Sequence, residues 1–263
     1  MKHKRSIINK KEKKVYTYFL VVVAVLFIGS TIFSKYNPFE ILLEQGEFWR
    51  FLTVDFFPPT LQNSLNIFES ILITIEMAIG ATFISGILAL FFAMFGSEYI
   101  SPVPKLSKVI RAIATFLRNI PALVWAFILF SALGIGTGVG FVALVISTFA
   151  FMTRAFIEVI DDISHDAIEG LSVVGSTFWQ RVFQGVIPSC MQDFLAWFLY
   201  CIEVNIRAST IVGMVGGGGV GLVLFSYLKS FKYQTAAGII LIIAATIILV
   251  DLLTGYLRKK VLL

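Results

Sequence analysis

Apolar residues run along this chain in blocks too long for a soluble core, separated by short polar segments in which most of the charges collect. Crossing a bilayer core of about 30 Å takes about 20 apolar residues in a helix. Val15–Ser34, Met77–Phe95 and Tyr233–Val250 each lack Asp, Glu, Lys and Arg throughout. The uncharged run from Asn119 to Thr153 is too long for one crossing. In its middle, Gly134-Ile135-Gly136-Thr137-Gly138-Val139-Gly140 supplies tight-turn geometry, so the run reads as two helices. A further span from Met191 to about Val215 holds Glu203 and Arg207. The pattern predicts an all-α, polytopic membrane protein with six transmembrane helices.

The organisation that follows is a basic segment (1–14), a first span (15–34), an outward-facing segment (35–66), a transmembrane core (67–257) with one long polar loop (161–189), and a tail (258–263). Val15–Ser34 follows a basic segment, as a signal sequence does. Its apolar run is longer than a typical h-region and lacks a clean small-residue cleavage site, which predicts a retained anchor.

Composition agrees with lipid as the solvent. Of 263 residues, 58% are hydrophobic and 14% charged, against about 45–50% and about 25% in soluble domains. Mean hydropathy is +0.90. The 21 Lys and Arg residues sort by side. Lys2, Lys4, Arg5, Lys10, Lys11, Lys13 and Lys14 fall on one side with Lys105, Lys108, Arg111, Arg154, Arg181, Arg258, Lys259 and Lys260. Opposite them lie Lys35, Arg50, Lys229 and Lys232, while Arg118 and Arg207 fall inside spans. Short cytoplasmic loops are enriched in basic residues, so both termini are expected in the cytoplasm. That asymmetry also explains the basic balance without any nucleic-acid partner.

Enzyme chemistry finds little support. Cys190 and Cys201 lack CxxC spacing, and His3 and His165 are too scattered to complete a metal site with them. No GxxxxGK[ST] or GxSxG occurs, so the chain has no phosphate-binding loop or nucleophile elbow of its own. No cofactor is expected, and any ATP chemistry falls to a partner.

Two polar segments carry further pattern. Between spans one and two, Glu40, Glu44 and Glu47 precede Phe48-Trp49-Arg50-Phe51, a spacing that suits a helix anchored at the membrane interface. Phe56-Phe57-Pro58-Pro59 then stops it, because proline lacks an N–H and restricts its predecessor. The loop 161–189 reads as two short helices with a hinge. Ser164 is placed to cap the first, with Asp166 in its first turn, and Gly175 breaks the pattern. Thr177 with Gln180 forms a capping-box pair for the second, and Pro188 is expected to separate it from the membrane. Ala167, Leu171 and Val174 share one apolar face, which either packs on the protein's own loops or is presented to a groove in a partner.

This loop resembles the signature of membrane subunits of bacterial ABC importers: Glu-Ala-Ala, a Gly six residues after the Glu, and an aliphatic residue and Pro closing at nineteen. Glu169-Gly170-Leu171, Gly175 and Ile187-Pro188 keep those intervals, with Gly170 and Leu171 departing from the two alanines. Arg118-Asn119-Ile120-Pro121-Ala122-Leu123-Val124-Trp125-Ala126 is similar to a segment of the phosphonate-importer permeases. So is Glu203-Val204-Asn205-Ile206-Arg207 followed by Gly216-Gly217-Gly218-Gly219-Val220-Gly221. The resemblance implies a type I importer permease fold in the cell membrane and a loop that couples to separate ATPase subunits, which bind ATP and Mg. It also implies an extracytoplasmic substrate-binding protein, a second permease copy or paralogue, and a phosphonate or related oxyanion such as phosphite as substrate. Permeases for other small solutes, such as the methionine type, share a similar glycine-rich turn. A secondary transporter would leave the spaced Glu, Gly and Pro unexplained.

Glu76, Arg118, Glu203 and Arg207 lie within or at the edge of spans, where a charge at mid-helix costs about 2.5–3.5 kcal/mol on insertion scales. Glu203 and Arg207, four apart on one helix, can pair as a packing device. Alternatively, Arg207 and Arg118 make a central pathway electropositive for an anion. The G-x-G-x-x-G within the glycine-rich turn lacks the strand-turn-helix setting of a dinucleotide site, which leaves close helix packing or a flexible gate. The topology is checked by fusing a reporter to either terminus. Both fusions are expected to be inaccessible to protease added outside intact cells.

Overall fold

A computed structural model describes residues 10–34, 45–61, 63–163 and 165–261. Glu40, Glu44 and Ser164 lie outside the described residues, as does the side chain of Ala167. The chain divides into two compact units, Met1–Phe57 and Pro58–Leu263. In the first, α1 (Lys10–Phe33) is an apolar helix. α2 (Gln45–Arg50) runs on through a π-helical stretch, Phe51–Phe56. It stops at Phe57, which is extended (φ −109°, ψ 146°) ahead of the two prolines.

The second unit consists of α3 (Ser64–Gly96), α4 (Pro104–Arg118), α5 (Ala122–Leu133), α6 (Thr137–Ile163), α7 (His165–Val173), α8 (Phe178–Gly217), α9 (Gly219–Lys229) and α10 (Tyr233–Val261). Among the described residues no strand occurs. Five helices are long and apolar enough to cross a membrane, and a sixth crossing results if α4 and α5, bent by 87°, form one broken span. The count of six therefore rests on a discontinuous helix. Its first half lies outside the uncharged blocks, because Lys105, Lys108 and Arg111 interrupt the apolar pattern. They do not interrupt the helix: Pro104 occupies its first turn, where a missing N–H costs nothing. Ser107, Ile110 and Ala114 form a buried stripe at i, i+3 and i+7.

Lipid provides no hydrophobic drive between helices, so small residues and polar contacts must hold the bundle together. α3 has both. Ala78, Ala81, Thr82, Ser85, Ala89 and Ala93 are fully buried on one face, and α6 packs closely there. At the end of that stripe, a Cβ on Gly96 would collide with Ile157. Ser85 Oγ donates to the Val145 carbonyl (3.0 Å). Asn205 of α8 joins three helices: its Nδ2 donates to Thr82 Oγ1 (2.8 Å), and its Oδ1 accepts from Thr148 Oγ1 (2.9 Å). All three side chains are buried. Below this layer Ala93, Met152, Phe156, Ile160, Val182 and Phe194 belong to an apolar core shared by α3, α6 and α8.

α8 is 40 residues long, about 60 Å at 1.5 Å per residue, or twice the hydrocarbon thickness. It starts at Phe178 rather than near Met191, and Pro188 does not end it. A widened π-helical stretch, Arg181–Val186, lies just ahead of the proline. A wider turn is one way for a helix to accommodate a residue that has no N–H and crowds the preceding carbonyl. At the end of α3, the Gly96 carbonyl accepts from Arg111 Nε (2.8 Å) and Ser107 Oγ (2.7 Å), and Arg111 pairs with Asp161 of α6. Asp161 Oδ1 also accepts from Ser97 Oγ (2.6 Å) and the Glu98 N–H (3.1 Å). This cluster ties α3, α4 and α6 at one end of the bundle.

Asn205→Ala removes two interhelical hydrogen bonds, each worth about 0.6–2 kcal/mol in a membrane. Thermal unfolding of the purified protein in detergent is expected to show a midpoint lower by several degrees, whereas Thr60→Ala, at the periphery, should move it less.

Candidate functional site

The break in the third crossing, between α4 and α5, is the focus of the site. α4 ends at Arg118, Asn119-Ile120-Pro121 carries the bend, and α5 begins at Ala122. Arg118 and Ala122 share a cleft of about 150 Å³ with Ser147, Thr148 and Phe151 of α6 and with Tyr200, Cys201, Val204, Asn205 and Ala208 of α8. Ser147 and Thr148 lie near the middle of the 27-residue α6, so the break packs beside the middle of a helix long enough to cross a bilayer. Irregular backbone at that depth is tolerated only where protein buries it or where it lines a wet cavity. The α8 wall repeats at i, i+4 and i+8 through Tyr200, Val204 and Ala208. Phe151, Trp197 and Tyr200 are in mutual ring contact and hold that wall.

The four intramembrane charges separate. Arg207 Nη2 pairs with Glu203 Oε1 within one turn of α8, and the pair is 50% and 14% exposed. Neither residue lines the cleft. Arg118 does line it and has no ion pair among the described residues. Glu76 is exposed on α3 and has no ion pair among the described residues. The sequence pattern names Glu76, Arg118, Glu203 and Arg207 alike, and only Arg118 of the four lines the cleft; it does not point to Ser147, Thr148 or Tyr200, and Asn205 enters only as part of a motif. The signal available was polar residues inside otherwise apolar spans.

In the polar loop, α7 has Asp166 in its first turn. It closes in a Schellman turn: the Ser176 N–H donates to Leu171 O (3.1 Å), and the Gly175 N–H to Ser172 O (3.1 Å). Gly175 takes φ +75° there, which favours glycine. The Thr177–Gln180 capping box forms in both directions, Thr177 N–H to Gln180 Oε1 (2.8 Å) and Gln180 N–H to Thr177 Oγ1 (3.4 Å). Ile168 is buried, and Leu171 leans on Gly185 of α8. The expected apolar face of Ala167, Leu171 and Val174 does not hold together. Val174 lies past the end of the helix, in the turn, and is 77% exposed. The outward apolar surface is Val173, Val174, Trp179 and Phe183. Glu169 and Gly170 are exposed beside it; Ile187 is half-buried and Pro188 exposed.

The glycine-rich turn is buried helix packing. Gly216, Gly217, Gly218, Gly219 and Gly221 are all buried between α8 and α9. Gly218 adopts φ +79°, and a Cβ on it would collide with Thr137; a Cβ on Gly221 would collide with the Thr210 carbonyl. The Val220 N–H donates to Thr74 Oγ1 (2.9 Å), which fastens the start of α9 to α3. The Gly136 N–H donates to the Gly216 carbonyl (3.1 Å), joining the α5–α6 turn to the same place.

This architecture is similar to that of known proteins. The inward-facing MetNI methionine ABC transporter superposes with a TM-score of 0.68 at 17% identity, over 76% of this chain and 99% of that one, a likeness of fold. A phosphite transport system permease protein, PtxC of Stutzerimonas stutzeri, is 32% identical over 202 residues, 77% of this chain and 74% of that protein. The phosphate-import permease protein PhnE of Mycolicibacterium smegmatis is 28% identical over 238 residues, 89% of this chain. The chain spans 44% of that relative's length. The model of the binding-protein-dependent transport system inner membrane component family matches residues 85–263. An all-helical, multi-pass chain with this fold and this match belongs to that family of inner-membrane transport components.

Proposed function

We propose that the chain is the permease subunit of an ATP-driven importer for phosphonates or related phosphorus oxyanions such as phosphite. The observation that carries this reading is the 32% identity, over most of both chains, with a phosphite transport permease. The likeness to the methionine transporter is one of fold alone. The permease forms the translocation pathway with a second copy or a paralogue, and an extracytoplasmic binding protein delivers the solute. ATP and Mg are held by separate ATPase subunits, so this chain carries no cofactor.

The ATPase contact is the turn around Glu169. Its support is physical: Val173, Val174, Trp179 and Phe183 are exposed, while Ile168, Val182 and Val186 anchor the same segment in the core. A rigidly seated turn with an apolar outer surface can enter a partner's groove and pass on its movement. Because α8 continues from this turn into the membrane, displacement at Trp179 reaches the cleft along one helix. The basic residues concentrated near both ends of the sequence support a cytoplasmic location for the N- and C-termini.

Reconstituted with its ATPase and binding protein in proteoliposomes, the permease is expected to accumulate phosphite or methylphosphonate only when ATP is supplied on the ATPase side. Uptake without the ATPase would contradict the reading. Trp179→Ala is expected to weaken co-purification of the ATPase while leaving the permease's own melting midpoint nearly unchanged.

A further inference from the structure

The cleft at the break of the third crossing holds two kinds of polar group. Asn205 and Thr148 are satisfied by one another and by Thr82. Arg118, Ser147 and Tyr200 make no side-chain hydrogen bond to any described residue, and no carboxylate lines the cavity. A guanidinium and two hydroxyls therefore converge on one space with their donors free, and the only fixed charge in it is positive. The opposite case is Arg207, whose charge is cancelled by Glu203 on its own helix and which stands outside the cavity wall.

We infer that Arg118, with Ser147 and Tyr200, forms a transit site for a tetrahedral oxyanion at mid-membrane, and that the Glu203–Arg207 pair only positions α8. This deepens the proposed phosphorus-oxyanion import and rests on it. A guanidinium presents paired N–H donors that match two oxygens of a phosphoryl group. Its charge at mid-membrane, costly when unpaired, is compensated each time an anion passes. The size is suitable, since a cavity of about 150 Å³ is comparable to one that holds benzene. That admits three oxygens on phosphorus with a hydrogen or small carbon substituent. Phe151, Val204, Ala122 and Ala208 form apolar wall for the substituent.

The test uses the complete transporter in proteoliposomes, with permease, ATPase and binding protein, and phosphite as the probe. Two quantities are read: ATP-driven uptake and the ATP hydrolysis stimulated by loaded binding protein. Losing a charge-assisted contact of about 1.5–3 kcal/mol predicts that Arg118→Ala lowers uptake by about 10- to 100-fold. Stimulated hydrolysis should persist, and Arg118→Lys, which keeps the charge but not the paired donors, should restore only part of the uptake. The Ser147→Ala/Tyr200→Phe double variant keeps the charge and packing and is expected to lower uptake by about tenfold. Glu203→Gln/Arg207→Gln, which removes the pair without changing net charge, is expected to cost less uptake than Arg118→Ala. Uptake near the wild-type level in Arg118→Ala overturns the site, as does a loss that Lys fails to rescue. If Arg118→Ala does not assemble, wild-type uptake by the Ser147→Ala/Tyr200→Phe variant overturns it. If the wild-type transporter hydrolyses ATP in response to its binding protein yet accumulates neither phosphite nor methylphosphonate, it is the phosphorus-oxyanion reading that fails.

Discussion

A polar group in hydrocarbon has no water to turn to, and the layout of this protein follows from how its chain meets that constraint. The Thr82–Asn205–Thr148 contact is the central instance. One amide side chain satisfies a hydroxyl on each of two neighbouring helices, so α3, α6 and α8 are fixed at the same depth. The stripe of alanines on α3 lets the backbones approach closely enough for those short side chains to meet. Ser85 to Val145 and Val220 to Thr74 repeat the device above and below.

The same constraint explains where the chain can be irregular. The break between Arg118 and Ala122 faces the cleft. The glycine-rich turn after α8 is sealed against Thr74, Thr137 and Thr210, with no room for side chains at Gly218 or Gly221. One irregular stretch borders a cavity and the other is packed. Between them runs α8, anchored by Asn205, bounded outside the membrane by the exposed Trp179 turn and inside by the glycines. A helix held in this way is suited to carry movement from a cytoplasmic partner to the cleft. The Arg111–Asp161 cluster keeps α3, α4 and α6 together at one end while it does so.

Much of this was legible in the sequence where chemistry is local. The uncharged blocks locate most of the crossings, Gly134 to Gly140 locates the α5–α6 turn, and Thr177 with Gln180 marks a helix start through a capping box that forms as expected, although that helix is α8 itself rather than a separate loop helix. What was not legible depends on partners distant in sequence. α4 was hidden because an amphipathic helix packed on α6 does not register as apolar, although it supplies half of a crossing. Pro188 was taken as a stop because its compensation, the π-helical turn ahead of it, has no single-residue signature. Arg118 and Arg207 looked equivalent. The spacing of Glu203 and Arg207 offers a pairing, but only the fold shows that the pair forms outside the cleft while Arg118 lines it without a carboxylate among the lining residues.

The central claim is that one face of α8 lines a water-accessible path while its neighbouring face is sealed. The direct measurement is labelling of single cysteines at residues 198, 200, 204 and 208 by a membrane-impermeant thiol reagent, in a protein whose Cys190 and Cys201 are replaced by serine. Positions 200, 204 and 208, which line the cleft, are expected to react, and position 198, which lines an apolar groove on the other side of the helix, to stay silent. Equal labelling at all four positions, or reaction only at 198, would contradict the account.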